Sequence, residues 1–269
     1  MTHTAAPAHL SDALKHFDDV TRRMAGRPPA LFLDYDGTLV PLARRPDLAI
    51  APPELLDALA KLSQRMPVAI VTGRGLADVM GMVSVNGIAY AGSHGFDIVD
   101  AQGRDLSGDI GAPYRPALAQ AAKTLAPFLK QIDGALLEDK VYSLAIHYRE
   151  VAPDRHADIL KAVNAEADRH SGLKRTGGKM IHELRPDTNW NKGTAVLRVM
   201  EALGLTGQAA VPFYLGDDET DEDAFLAIKD TGIGIRVGDP SGPTHAHFSL
   251  NTPDDVSIFL DRLTGTIAP

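Results

Sequence analysis

Apolar runs that stop abruptly at polar turns, and that alternate with helical periodicity, limit this chain more than any other feature. Residues 30–33 (ALFL) end at Asp34 and are followed by Gly37 and Thr38. Residues 68–71 (VAIV) end at Thr72-Gly73-Arg74, and residues 88–91 (IAYA) end at Gly92-Ser93-His94-Gly95. Between the first two runs, Pro52, Pro53 and Glu54 open LLDALAKLSQRM. Its leucines and alanines recur at helical spacing, and its start carries proline and an acid where the helix dipole favours them. A second helix is expected over residues 76–83. The order is βαβαβ, which implies a parallel sheet with helical crossovers. In open sheets of this kind ligands bind beyond the carboxyl ends of the strands, and all three polar breaks fall there.

The same pattern resumes after Asn191, with a helix over 195–203, a strand over 212–215, an acidic cluster from Asp217, a helix through Phe225 and a strand over 232–237. The stretch between, residues 113–185, has a different character: a helix over 117–129, an extended run over 135–148, a helix over 157–170 and a strand over 179–184. It reads as an α+β domain inserted into the first and covering a site built by the flanking segments. The expected division is residues 1–112 with 186–269 as core and 113–185 as insertion, which a length of 269 residues accommodates as two unequal domains. The N-terminal arm is expected to fray.

Composition excludes several function classes. Lys and Arg number 27 against 35 Asp and Glu, so a net charge of −8 repels polyanions and anionic membranes, and neither nucleic acid nor membrane is an expected partner. Without cysteine there is no disulfide frame, no thiolate nucleophile and no zinc-thiolate site. No run approaches the ~18 apolar residues of a membrane span. MTHTAAPAHLSDALKHF has no basic stretch followed by an apolar one. A cytoplasmic location is expected.

Asp34-Tyr35-Asp36-Gly37-Thr38 is the strongest chemical signal. Two carboxylates at a strand end can divide labour, one attacking and the other moving protons, while Gly37 permits a tight turn close to a ligand. Asp and Gly also make ordinary turns, and the pentapeptide alone does not separate the two readings. The second signal is the run 216–223, GDDETDED. Carboxylates this dense repel unless a cation offsets them, and magnesium takes one or two carboxylates together with waters and phosphate oxygens. Asp217 is read as the direct ligand, with Asp218 and Asp221 one step further from the ion. Asp221, Glu222 and Asp223 also suit the first turn of a helix. Thr72-Gly73-Arg74 offers a hydroxyl and backbone N–H groups at a helix start, an arrangement that holds phosphate. Lys192 stands at another helix start, where the dipole disfavours a cation, so a phosphate or an aspartate is expected beside it.

Taken in order, DYDGT, VTGR, the Lys192 helix start and GDDETDED resemble the four motifs of the haloacid dehalogenase-type (HAD) phosphatases. More narrowly, GDDETDEDAF, EDKVYSLAIHYR, GGKMIHELRP and the place of the insertion resemble the trehalose-6-phosphate phosphatases. The resemblance implies an α/β fold, a HAD-like Rossmannoid core with a parallel sheet and an inserted α+β cap of the C2B type. It implies Asp34 as the nucleophile that forms an aspartyl-phosphate, and Asp36 as general acid and base. Thr72, Gly73, Arg74 and Lys192 would hold the phosphate, and Asp34, the Asp36 carbonyl and Asp217 would hold Mg²⁺. It assigns Glu138, Arg149, Lys179 and Glu183 to the sugar, with His94 and His147 as either sugar contacts or structural histidines. Period two places Lys179 and Glu183 on one face of a strand, but Glu138 and Arg149 differ in parity and need a bulge or turn between them. The expected function is therefore Mg²⁺-dependent hydrolysis of trehalose 6-phosphate by a monomer whose partner is this small sugar phosphate. Sucrose 6-phosphate, mannosyl-3-phosphoglycerate and a catalytically idle sugar-phosphate sensor remain as alternatives.

Overall fold

Continuous apolar runs become strands buried on both faces. In the computed structural model, which describes residues 10–108, 110–178, 180–239 and 242–267, every residue of the strands that precede Asp34, Thr72 and Ser93 is buried. Such strands belong to parallel sheets covered by helices on each side.

Two compact units are present, Met1–Leu106 with Trp190–Pro269, and Ser107–Asn189. The first begins with β1 (Ser11–Asp12), α1 (Phe17–Met24), β2 (Pro29–Leu33), α2 (Pro53–Ser63), β3 (Val68–Val71), α3 (Leu76–Val83), β4 (Ala89–Gly92) and β5 (Asp97–Val99). The insertion follows as α4 (Arg115–Leu129), β6 (Leu136–Asp139), β7 (Leu144–His147), α5 (His156–Arg169), β8 (Leu173–Gly178) and β9 (Ile181–Pro186). The first unit then resumes with α6 (Lys192–Ala202), β10 (Val211–Gly216), α7 (Glu222–Ala227), β11 (Ile233–Val237), β12 (Phe248–Leu250) and α8 (Pro253–Thr266).

The large sheet has the order β1-β12-β11-β10-β2-β3-β4-β5, parallel throughout except for the β4–β5 pair. Alternation divides its side chains: Leu31, Leu33, Ile70, Phe213 and Leu215 pack with α1, α2 and α8. Ala30, Phe32, Ala69, Val71 and Tyr214 pack on the other face with α6 and α7. The strand order reverses at β2 and β10, where Leu33 pairs with Leu215 on one side and Ile70 on the other. That reversal is the switch point at which such sheets open a crevice. Asp34, Thr72 and Asp217 each follow immediately on one of these strand ends.

The insertion is an antiparallel sheet, β6-β7-β9-β8, with α4 and α5 packed on one face through Leu118, Leu125, Ile159 and Val163 against Leu144, Ile146 and Leu184. On the opposite face one row crosses all four strands: Glu138, Ala145, Glu183 and Thr176.

Several expectations change. The expected extended run over 135–148 is two strands joined by a turn, and Arg149 lies beyond β7, so Glu138 and Arg149 occupy different elements and their parity conflict disappears. Lys179 lies outside the described residues. β8 (LKRTGG), with two glycines and no alternating apolar residues, gave no strand signal. Residues 1–9 of the N-terminal arm lie outside the described residues, and α1, unforeseen from the sequence, is anchored by the core residues Phe17 and Val20. β12 and α8 were also unforeseen, although Thr252 caps α8 in a reciprocal box with Asp255 and Pro253 opens it.

Candidate active site

β2 delivers Asp34 to the centre of the sheet, where its backbone N–H donates to the Leu215 carbonyl at 2.9 Å. The chain then turns sharply: Leu39 N–H and Val40 N–H donate to the Tyr35 carbonyl, and Gly37 N–H donates to Val40 at 2.7 Å. Gly37 has φ +84°, and a Cβ there would collide with the Asp217 carboxylate. This glycine serves two needs, a left-handed backbone and an intimate approach of β10's exit to β2's exit.

Lys192 is the first residue of α6, whose N-cap Asn191 forms a reciprocal box with Thr194. Its ammonium is buried and donates to Asp34 Oδ1 at 2.9 Å and to Asp221 Oδ1 at 2.7 Å. Two carboxylates are thus the reason a cation tolerates the helix start. Asp221 is completely buried and also accepts from the Tyr214 hydroxyl at 2.6 Å and from Asp218 N–H at 2.9 Å. Glu222 and Asp223 do occupy the first turn of α7, whereas Asp221 stands just before it, fully buried.

The oxygens of Asp34, Asp217 and Asp221 lie within 4.8 Å of one another. Three carboxylates against one ammonium leave two uncancelled negative charges, the charge of one divalent cation. The donors are hard oxygens and the chain holds no cysteine, so the set suits Mg²⁺-like rather than thiophilic ions. Burial pushes the Asp34 carboxyl well above its ordinary value, against the pull of Lys192 and with Asp221 and Asp217 adding to the rise. Burial opposes the charge on Lys192, yet Asp221 and Asp34 raise its pKa. Burial, then Asp221, raises the Tyr214 hydroxyl.

Asp36 faces a different environment. Arg74 Nε and NH2 donate to its two oxygens at 2.6 and 2.7 Å. Thr72 is buried at the end of β3, its hydroxyl accepting from Arg74 N–H at 3.2 Å. The turn after β4 clamps this loop: His94 N–H donates to the Thr72 carbonyl and Ser93 N–H to the Arg74 carbonyl. Ser93, His94 and Gly95 all have positive φ, and a Cβ on Gly73 would meet the His94 ring at 2.8 Å. His94 therefore packs on the loop that carries Thr72 and Gly73.

In the insertion, Glu183 is buried and accepts from the Ser143 hydroxyl at 2.8 Å, with Lys140 Nζ at 3.6 Å. Glu138 is paired with His147 Nε2 at 2.8 Å. Arg149 lies in the turn after β7. The first unit brings Asp34, Lys192 and Asp217 together, joins Asp36 to Arg74 and sets Thr72 and Gly73 against His94.

Sequence reasoning missed Tyr214, Arg236, Lys140 and Ser143. Arg236 is buried in β11 and donates to the Asp218 carbonyl at 2.9 Å and to Glu222 at 3.2 Å, tying down the acidic loop. An arginine inside the apolar run IGIRV was the available signal, since a buried charge requires a partner.

Comparison with known proteins agrees with this architecture. The family model for trehalose-phosphatase matches residues 32–256. The trehalose-phosphate phosphatase of Mycobacterium tuberculosis (strain ATCC 25618 / H37Rv) is 42% identical over 260 residues, 95% of this chain and 66% of that protein. This chain thus spans just under two thirds of its mycobacterial relative. Among solved structures, a trehalose-6-phosphate phosphatase related protein superposes with a TM-score of 0.77 at 26% identity, covering 88% of this chain and 97% of that one. The C-terminal domain of the C. albicans trehalose-6-phosphate phosphatase shares the fold, with a TM-score of 0.75 at 24% identity over 97% of this chain and 99% of that one. Because the family match runs from β2 through the start of α8 and so includes every strand end described above, the chain belongs to the trehalose-phosphatase family.

Proposed function

We propose that the chain hydrolyses trehalose 6-phosphate to trehalose and phosphate, with Mg²⁺, through an aspartyl-phosphate on Asp34. The observation that carries this reading is the buried Asp34–Lys192–Asp221 array with Asp217 beside it, a carboxylate paired with an ammonium in a cluster whose two uncancelled negative charges call for the divalent cation that a dianionic substrate also requires. Mg²⁺ held by Asp34, Asp217 and the Asp36 carbonyl would supply charge neutralisation and a fixed orientation for the phosphoryl oxygens.

The remaining chemistry belongs to the protein. An Asp34 oxygen attacks phosphorus while the bond to the sugar oxygen breaks, and that oxygen takes the Asp36 proton. Water then gives a proton to Asp36 and attacks the same phosphorus, returning Asp34 as a carboxylate and Asp36 as the acid. Lys192 neutralises the developing charge, and Thr72 and Gly73 hold the phosphoryl group. Glu138, Glu183, Arg149 and Lys179 are assigned to sugar hydroxyls, and for Glu138 and Glu183 the assignment is supported by their shared row on the helix-free face of the small sheet. The proposal takes the chain to act as a monomer in the cytoplasm.

Phosphate release across a panel of trehalose 6-phosphate, sucrose 6-phosphate, mannosyl-3-phosphoglycerate and glucose 6-phosphate tests the reading, with Asp34→Asn and excess chelator as controls. Turnover should favour trehalose 6-phosphate and vanish in both controls. Turnover by Asp34→Asn, which keeps the size but loses the nucleophile, would remove Asp34 from its role, and binding without turnover by the parent would favour the idle sensor.

A further inference from the structure

Arg74 has five N–H donors, and the structure accounts for all of them. Nε donates to Asp36 Oδ2 at 2.6 Å and NH2 to Asp36 Oδ1 at 2.7 Å. NH1 donates to Asp78 Oδ2 at 2.9 Å and contacts the Met82 sulfur at 3.1 Å, while the second NH2 hydrogen serves the Pro46 carbonyl at 2.9 Å. The guanidinium also lies over the Tyr35 ring, 5.2 Å from its centroid, and the Tyr35 hydroxyl is itself fixed to the Ala49 carbonyl at 2.8 Å. None of these donors is left for a phosphate.

We infer that Arg74 is a positioning residue for Asp36 and not a phosphate ligand. A fork-to-fork pair makes the guanidinium and carboxylate coplanar and so fixes both side-chain torsions of Asp36. The fork is in turn immobilised by Asp78 on α3, by Met82 and by the Pro46 segment. Arg74 takes one lone pair from each Asp36 oxygen, and a carboxylate has about four such sites. Because the Asp36 side chain stays 31% exposed while that of Arg74 is only 6% exposed, the opposite edge of the carboxylate remains open to a reacting oxygen. The arrangement aims the proton-transfer group and leaves the phosphate to other residues.

This inference rests on the acid/base reading of Asp36, and the experiment separates the two. Trehalose 6-phosphate expels a sugar alkoxide that needs a proton, whereas p-nitrophenyl phosphate expels a phenolate that needs none. kcat/KM reports steps up to formation of the aspartyl-phosphate, so a change in its ratio for the two substrates reads proton delivery or sugar contacts, and non-additivity with Asp36→Asn assigns the change to proton delivery. Arg74→Lys keeps the charge and loses the fork. It should lower kcat/KM on trehalose 6-phosphate at least about tenfold, a part of the 10²–10⁴ typical of general acid catalysis. The same variant should change p-nitrophenyl phosphate, and the competitive inhibition constant of inorganic phosphate, less than about threefold. In Asp36→Asn/Arg74→Lys the second change should add nothing on the sugar substrate. Asp78→Asn, at an exposed site, should give a smaller loss with the same selectivity. A tenfold weaker phosphate inhibition, or equal losses on both substrates, would overturn the inference. If Asp36→Asn keeps full kcat/KM on the sugar phosphate, the acid/base reading itself fails. If Asp36→Asn loses it and Arg74→Lys does not, only the positioning role fails.

Discussion

Replacing Lys192 by Met tests whether the buried ammonium is the internal counter-charge of the site. Met follows the lysine stem closely in shape, so the volume lost is small and the change is almost purely electrostatic. Lys192 makes two charge-assisted hydrogen bonds, at 2.9 and 2.7 Å, to partners that are themselves buried. Breaking a buried ion pair on one side costs about 3–5 kcal/mol. Proton linkage adds a sign: without the pull of Lys192 the raised Asp34 carboxyl rises further, so the variant's deficit relative to the parent should grow as pH rises above the ordinary carboxyl value. Thermal unfolding of both proteins in chelator at pH 6 and pH 8 reads this directly. At roughly 2–4 °C per kcal/mol for a unit of this size, a drop of about 6–20 °C is expected, larger at pH 8. A Tm within about 2 °C of the parent at both pH values would refute the counter-charge argument.

Two further changes probe the metal cradle and the inserted sheet. Gly37→Ala places a Cβ against the Asp217 carboxylate in a backbone with φ +84°, so divalent cation affinity measured by calorimetry without substrate should fall at least about tenfold, and an unchanged affinity would detach Gly37 from the cradle. Glu183→Gln should keep the Ser143 bond but lose a charged sugar contact worth about 1.5–3 kcal/mol, lowering kcat/KM on trehalose 6-phosphate about tenfold or more while sparing p-nitrophenyl phosphate; equal losses on both would count against the sugar assignment.

The strand-end breaks were legible because parallel strands buried on both faces have no reason to alternate, and so stand out as unbroken apolar runs against the polar turns that follow. α3 spans residues 76–83 as expected, and β2, β3, β4 and β10 fall within one or two residues of their expected bounds. β8 was illegible because its strand character comes from pairing with β9 from Leu173↔Pro186 to Gly178↔Ile181, not from side chains of its own. α1 was overlooked because its anchoring depends on Phe17 meeting Phe259, a residue far along the chain. Local sequence carries propensity and pattern, while these elements are held by partners distant in sequence.

The site shows the same division between residue type and pairing. Asp34 and Asp36 are two apart, and on a continuing strand they would share a face and a neighbourhood. β2 ends at Leu33, however, and the turn through Gly37 sends them to different partners: Asp34 to Lys192, 158 residues away, and Asp36 to Arg74, 38 residues away. Which oxygen meets which nitrogen is fixed by the alignment of β2 between β3 and β10, a long-range property that no motif spells out. Separate environments are what would let one carboxylate serve as nucleophile and its near neighbour as proton carrier in the proposed reaction, since identical surroundings would give identical side chains identical chemistry. Arg74 illustrates the limit most clearly. Its place in VTGR marks a residue at a helix start expected to hold phosphate, yet the structure turns its guanidinium to Asp36 and Asp78, so the position of a motif residue is readable from sequence while the direction of its side chain is not.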